Sequence, residues 1–134
     1  MAINNVVSDF AFGKNGEVYT LHRIYDKEKL SLIQILDSKE RICQVVFYKD
    51  GNHIAGRTLY NPNTGKELKT ITYRADGKTI CSIRELYPDG AIKRIMFMKP
   101  CGKKLSSIIT YNEDGNETKC TIFDENGKAQ IIQI

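Results

Sequence analysis

The stretch TLYNPNTGKELKTITYRADGKTICSIRELYPDGAIKRI, residues 58–95, decides the fold because one short pattern recurs along it. In each copy an aromatic residue precedes a turn that contains glycine, and a run rich in Ile, Thr and Tyr follows. Glycine takes positive φ at no steric cost, and Asp or Asn before it is typical of a tight turn. β-Branched and aromatic residues are typical of strands. The pattern therefore predicts strand, turn and strand in succession.

Turn glycines continue at nearly constant intervals along the chain. Successive members are separated by 14, 12, 13, 12, 13 and 12 residues. They are Gly51, Gly65, Gly77, Gly90, Gly102, Gly115 and Gly127. Such a period indicates a repeat architecture, in which two units form one hairpin. We therefore predict an all-β domain of tandem antiparallel β-hairpins that form a continuous meander, with the sheet elongated or curled.

Aliphatic residues recur at the third and sixth positions after these glycines, as Leu68 and Ile71 or Ile80 and Ile83 show. In a regular strand, residues three apart point to opposite faces of the sheet. Either both faces are partly covered, or a β-bulge shifts the phase. The sequence leaves both interpretations open.

The chain of 134 residues has the size of one domain, and we predict a single domain over residues 1–134. Residues 47–134 contain the regular units of 12–14 residues. Residues 1–46 lack turn glycines after Gly16, which predicts degenerate repeats or an N-terminal cap. Residues 28–36 favour a strand, although LSLIQIL also fits the spacing of a short helix.

Composition and charge argue against several classes of protein. The net charge of +4 is mild, and no run is apolar and long enough for a transmembrane helix. The N-terminus does not resemble an export signal, so we expect a cytoplasmic protein with four reduced cysteines, or a secreted one if a leader has been removed. The cysteines form no close pairs and only two histidines are present, so we predict no metal site and no cofactor.

The turns at Tyr60–Lys66 and Tyr73–Lys78 alternate Tyr-x-x-x-Thr-Gly-Lys with Tyr-x-x-Asp-Gly-Lys. This alternation resembles an uncharacterised tandem-repeat family best known from phytoplasma proteins. The later units YPDGAIK, YNEDGNETK and FDENGKAQ are similar to MORN-repeat variants, β-hairpin arrays often described as antitoxin components in bacteria. The likeness covers roughly residues 47–134. It implies a fold, and neither family supplies catalytic residues to carry over.

The sequence shows no catalytic arrangement of Ser, His, Cys or paired carboxylates, and we predict that the protein is not an enzyme. Cys101 has the most reactive setting among the thiols because lysines surround it, although it also fits a turn position usually held by Asp or Asn. A possible nucleic-acid surface is a basic stripe with aromatic residues nearby. Its members are Lys93, Arg94, Lys99, Lys103 and Lys104.

The C-terminal strand AQIIQI, which contains Ile131, Ile132 and Ile134, has no Lys, Glu or Pro to protect it at the edge of the meander. It could be covered within the fold, join a second copy to form a homodimer, or receive a strand from a partner. Burial or self-association is favoured over partner binding.

Taken together, these features favour a non-enzymatic domain that binds another protein, in the specific form of an inhibitor, immunity or antitoxin-like protein that blocks an enzyme. Nucleic-acid binding through the basic stripe is the first alternative. A self-assembling structural or effector array is the second.

Overall fold

The computed structural model describes residues 4–134, and these contain eleven β-strands and no helix. The predicted all-β meander is therefore confirmed. The strands are β1 Asn4–Phe12, β2 Val18–Asp26, β3 Lys29–Leu36, β4 Ile42–Tyr48, β5 Ile54–Tyr60, β6 Glu67–Tyr73, β7 Ile80–Leu86, β8 Ile92–Met98, β9 Leu105–Tyr111, β10 Glu117–Phe123 and β11 Ala129–Gln133.

All eleven strands belong to one antiparallel sheet in which the spatial order is the sequence order. Among the described residues, each strand contacts only the strands before and after it in sequence. Strands β1 and β11 therefore form the two edges of an open sheet. With a spacing of about 4.8 Å between strands, the edges are roughly 48 Å apart along the hydrogen-bonding direction.

The turns lie alternately at the two ends of the strands. One end, here called the Gly77 end, has the turns 26–29, 49–53, 74–79, 99–104 and 124–128, and the opposite end is called the Gly90 end. The seven glycines of the predicted period all have positive φ, between 70° and 96°. Each therefore occupies a conformation that residues with a Cβ rarely adopt.

A β-bulge in each internal hairpin explains the aliphatic residues that are three apart. Tyr73 lies opposite Ile80 and Ile71 lies opposite Ile83, with a register shift between Thr72 and Tyr73. Directly opposite residues share a face, so the bulge puts Ile80 and Ile83 on the same face. Register shifts occur in every pair from β2–β3 to β9–β10, and the two terminal pairs, β1–β2 and β10–β11, have none.

The first part of the chain continues the same meander. Strand β3 covers Lys29–Leu36, which confirms the strand rather than the helix for this segment. Strand β1 was not predicted, because its sequence NNVVSDFAF alternates poorly and follows no turn glycine. The missing glycines are replaced by non-glycine residues with positive φ, which are Lys27, Glu28 and Glu40.

Glu40 has φ 62° and its N–H donates to the Asp37 carbonyl at 3.0 Å, as Gly127 does to Asp124. A left-handed backbone costs about 1–2 kcal/mol for a residue with a Cβ. Glycine avoids this cost but loses roughly 0.5–1 kcal/mol more in chain entropy on folding. We expect Glu40→Gly to raise the free energy of unfolding by about 0.5–1 kcal/mol. Thermal denaturation of the variant and the wild type measures this change in the free energy of unfolding. The control Lys39→Gly should lower stability, and equal effects of the two changes would contradict the explanation.

The sheet is a single layer, so little of the chain is fully buried. Val45, Val46, Gly56, Thr58 and Thr121 are the buried residues among those described. The accessible area is 9035 Å², against about 7,100 Å² for a compact monomer of this mass. The excess area belongs to the two faces and the two edges, which no second layer covers. Any binding surface must be sought there.

Candidate functional site

The register assigns every strand residue outside the bulges to one of two faces. Because directly opposite residues share a face, a row can be followed from strand to strand. The face that carries Tyr73 and Ile71 is called face A, and the face that carries Phe47 and Phe97 is called face B. The two faces differ in how far their apolar side chains are covered.

Face A has a central row of apolar side chains that cover one another. From β3 to β10 its members are half-buried or buried, and Val46 is only 5% exposed. Two arginines interrupt the row, and the Arg57 guanidinium lies 5.6 Å from the centre of the Tyr73 ring. The row consists of Val7, Arg23, Ile33, Val46, Arg57, Ile71, Ile83, Met96, Ile108, Thr121 and Ile131.

Face B carries most of the exposed large apolar side chains. One of its rows crosses all eleven strands, and Phe47 is 39%, Phe97 38% and Ile122 44% exposed. Exposed aromatic and aliphatic side chains in one row are a feature of interaction surfaces. The row consists of Val6, Ile24, Leu32, Phe47, Gly56, Thr72, Ser82, Phe97, Ser107, Ile122 and Gln130.

Small residues separate the two exposed phenylalanines of this row. Gly56, Thr72 and Ser82 lie between Phe47 on β4 and Phe97 on β8. Four strand spacings put the aromatic side chains roughly 19 Å apart. Gly56 has no side chain, and a Cβ added there would lie 2.9 Å from the Ile71 carbonyl oxygen, so a larger residue does not fit at this point without a shift of the backbone. The surface is thus a depression between two apolar projections, and sequence inspection missed it because it depends on register.

At the Gly77 end, basic residues 25 positions apart connect neighbouring turns on that side. Each follows the last residue of a strand and donates a hydrogen bond to a backbone carbonyl about two strands further on. The bonds run from Lys49 Nζ to Ala75 O (2.9 Å), from Arg74 Nη2 to Met98 O (2.9 Å) and from Lys99 Nζ to Asp124 O (2.6 Å). This side-chain ladder holds the turns against one another.

The five residues of the predicted basic stripe do not form one cluster. Lys93 and Arg94 lie at the start of β8, near the Gly90 end, whereas Lys99, Lys103 and Lys104 lie in the turn that follows β8. A strand of this length separates the two groups by roughly 20 Å. Arg94 also forms an ion pair with Glu85 at 3.1 Å, and Lys99 belongs to the side-chain ladder through its bond to the Asp124 carbonyl oxygen. The sequence did not reveal the two groups, because their members lie within twelve positions of one another along the chain.

Cys101 occupies the turn position that Asp76 holds two units earlier, in the preceding turn at the same end of the sheet. Asp76 accepts hydrogen bonds from the N–H groups of Lys78 and Thr79, at 2.9 and 2.8 Å. The corresponding N–H groups of Lys103 and Lys104 hydrogen-bond to the Cys101 sulfur and lower the pKa of this exposed thiol. Burial, in contrast, raises the pKa of the Cys43 thiol. All four cysteines are free thiols.

We expect iodoacetamide to alkylate Cys101 before Cys43 near pH 7.5, because the thiolate is the nucleophile and Cys101 is exposed. Peptide mass spectrometry over time measures the order. The variant Cys101→Ser should lose the fastest phase of labelling. Faster labelling of Cys43 would show that the turn N–H groups do not stabilise the Cys101 thiolate.

Both edge strands present exposed apolar residues. On β11 and just after it, Ile131 is 56%, Ile132 45% and Ile134 69% exposed. On β1, which sequence inspection had not identified, Phe10 is 67% and Phe12 76% exposed. The C-terminal strand is therefore not covered within the described chain, which removes the first of its three predicted roles.

The fold and surfaces place the chain among single-layer β-repeat proteins, and comparison with known families is consistent with this class. The model of the family described as "Protein of unknown function (DUF2963)" matches residues 47–96. These residues include the alternating turns at 60–66 and 73–78, whereas the likeness to the phytoplasma repeat family and to MORN repeats stays a prediction. No curated protein matches the chain.

A crystal structure of an S. aureus TarM mutant in complex with fondaparinux, alpha-GlcNAc-glycerol and UDP is similar in fold. The TM-score is 0.55 at 9% sequence identity, over 93% of this chain and 21% of that one. This chain thus spans about a fifth of the length of TarM. At this identity the likeness concerns the fold alone.

Residues 4–134 contain no helix of the length and apolar character that a membrane span requires.

Proposed function

We propose that this chain is a non-enzymatic repeat domain that binds another protein through face B. The exposed row that contains Phe47, Phe97 and Ile122 carries the proposal. Aromatic side chains are enriched at the buried centres of protein interfaces. Here two of them flank a depression of small residues, where the side chains of a partner can approach the sheet.

The repeat architecture supports this function because an array of hairpins extends contact area without a deep pocket. The partner that fits the surface is a folded protein with an apolar patch, since the central members of the row are uncharged. Within this class, the resemblance of the later units to antitoxin-like arrays favours an inhibitor that covers the working surface of an enzyme. That choice rests on analogy between folds.

Affinity purification from host lysate with the tagged chain tests the proposal. The double variant Phe47→Thr/Phe97→Thr removes both aromatic projections and retains good strand formers. Leu68→Thr is the matched control, because Leu68 is 46% exposed but lies at a bulge outside the row. Truncation of two interface anchors should weaken capture by roughly 30-fold or more.

One stoichiometric protein that is captured by the wild type and the control, but not by the double variant, supports face B as the binding surface. Equal capture by all three chains would overturn it. Capture of nuclease-sensitive nucleic acid without a protein would overturn the proposal in favour of nucleic-acid binding by the basic residues. The amount of nucleic acid retained should then fall steeply as the salt concentration rises.

A further inference from the structure

We propose that strand β11 pairs with β11 of a second copy, so that two chains form one continuous sheet with a two-fold axis at Ile131. This surface is an edge and differs from the centre of face B. The homodimer can therefore fail while the proposed function holds, and the reverse is equally true.

The first argument is the direction of the unpaired backbone groups of β11. Ile134 N–H donates to Thr118 O at 3.1 Å, and Asp124 N–H donates to Lys128 O at 3.0 Å. The backbone groups of even-numbered residues therefore point toward β10, since direction alternates along a strand. The groups of Ala129, Ile131 and Gln133 point outward, and no register shift disturbs this alternation.

The second argument is that a two-fold axis at Ile131 uses every outward group. Ile131 then pairs with its own copy, and Ala129 pairs with Gln133 of the second chain. Each outward N–H and C=O finds an acceptor or donor in this register. An axis at Ile132 leaves Ala129 without a partner, and an axis at Gln130 moves Gln133 beyond the strand, opposite the turn.

The third argument is a match of side chains across the axis. A cleft of about 420 Å³ lies beside β11, lined by Ile122, Asp124, Lys128, Ala129 and Gln130. In the proposed register, Ile132 of the second copy lies opposite Gln130, and Ile134 lies opposite Lys128. Both isoleucines are on the side of the sheet that carries Ile122 and Gln130, which is face B. The exposed Ile134 of each chain therefore reaches the cleft of the other.

The fourth argument separates β11 from β1, the other open edge. Strand β11 contains no charged residue, so self-pairing opposes no like charges. Strand β1 carries Asp9 near its centre, 3.1 Å from Arg23. In the register that pairs all of β1 with its own copy, whose axis is at Ser8, Asp9 faces Val7 of the other chain and the two Asp9 carboxylates are only two residues apart, which is unfavourable. Pairing β1 of one copy with β11 of the next copy would instead build an open-ended filament of molecules.

Sedimentation equilibrium of the wild-type chain over a wide concentration range should give a reversible dimer with no larger species. Ile131→Lys puts two ammonium groups at the axis and should raise the dimer dissociation constant by roughly 100-fold or more. Val7→Lys is the control, because Val7 is 50% exposed in the same row of face A at the opposite edge. It should leave the dimer unchanged. Circular dichroism checks that both variants fold.

Disulfide crosslinking tests the register and does not depend on the lysine variant. In a Cys101→Ser background, Ile131→Cys should form an intermolecular disulfide, because hydrogen-bonded pairs have Cα atoms about 5.5 Å apart. Gln133→Cys alone should not crosslink, whereas a mixture of Ala129→Cys and Gln133→Cys chains should. A wild type that remains monomeric would overturn the proposal, as would a dimer weakened by Val7→Lys rather than Ile131→Lys, or crosslinks in another register.

Discussion

Replacement of Gly77 by alanine is expected to lower the free energy of unfolding by about 1.5–4 kcal/mol. Gly77 has φ +70°, and a Cβ there would lie 2.8 Å from Ile54 N and 3.0 Å from His53 Cα. The left-handed backbone costs an alanine a net amount of about 0.5–1 kcal/mol relative to glycine, and forced contact with backbone atoms adds about 1–3 kcal/mol. Urea denaturation measures the change.

Gly90→Ala is the matched control for this prediction. Gly90 has φ +96°, and nothing lies within 4 Å of its hypothetical Cβ. Its substitution should cost only the net backbone penalty of about 0.5–1 kcal/mol, after the chain entropy that glycine loses on folding is subtracted. If Gly77→Ala and Gly90→Ala destabilise the protein equally, the turns at the Gly77 end do not pack as closely as the structure shows.

Val46→Ala is expected to lower the free energy of unfolding by about 2–3 kcal/mol. Val46 is only 5% exposed and lies on face A between Ile33 and Arg57 on the adjoining strands. Removing its methyl groups loses transfer energy and leaves a gap that a single-layer sheet can close only by shifting these neighbours.

Val18→Ala provides the comparison for Val46→Ala. Val18 is 40% exposed at the start of β2, so its truncation should cost less than about 1 kcal/mol. Equal effects in urea denaturation would mean that burial between strands does not stabilise the sheet.

The repeat was predictable because its information is local. A turn glycine such as Gly90 specifies a backbone conformation within four residues, and the spacing of such turns fixes strand length and the antiparallel order. The same logic failed at β1, because no turn glycine precedes this strand and its sequence NNVVSDFAF alternates poorly. The polar residues Asp37, Ser38 and Lys39 did predict the turn before β4, but not the positive φ of Glu40, because a left-handed non-glycine residue has no signature in the sequence.

The surfaces were less predictable because they depend on register. One bulge per internal hairpin decides which side chains share a face, and the sequence left the bulge as one of two interpretations. Phe47 and Phe97 therefore appeared as strand-end residues rather than as members of one exposed row. Lys93 and Lys104 appeared to be neighbours because they are close in sequence, although β8 separates them.

The restriction of contacts to successive strands has a consequence for how the molecule comes apart. An inner hairpin can open only by breaking two interfaces, whereas a terminal strand breaks one. Fluctuations should therefore begin at β1 and β11 and proceed inward, with the slowest amide hydrogen exchange near β4 and β5, where Val45, Val46 and Thr58 are buried. An array of this kind can gain or lose a pair of strands at its margin with little effect on the centre, which gives its length an evolutionary freedom that a closed core would not allow.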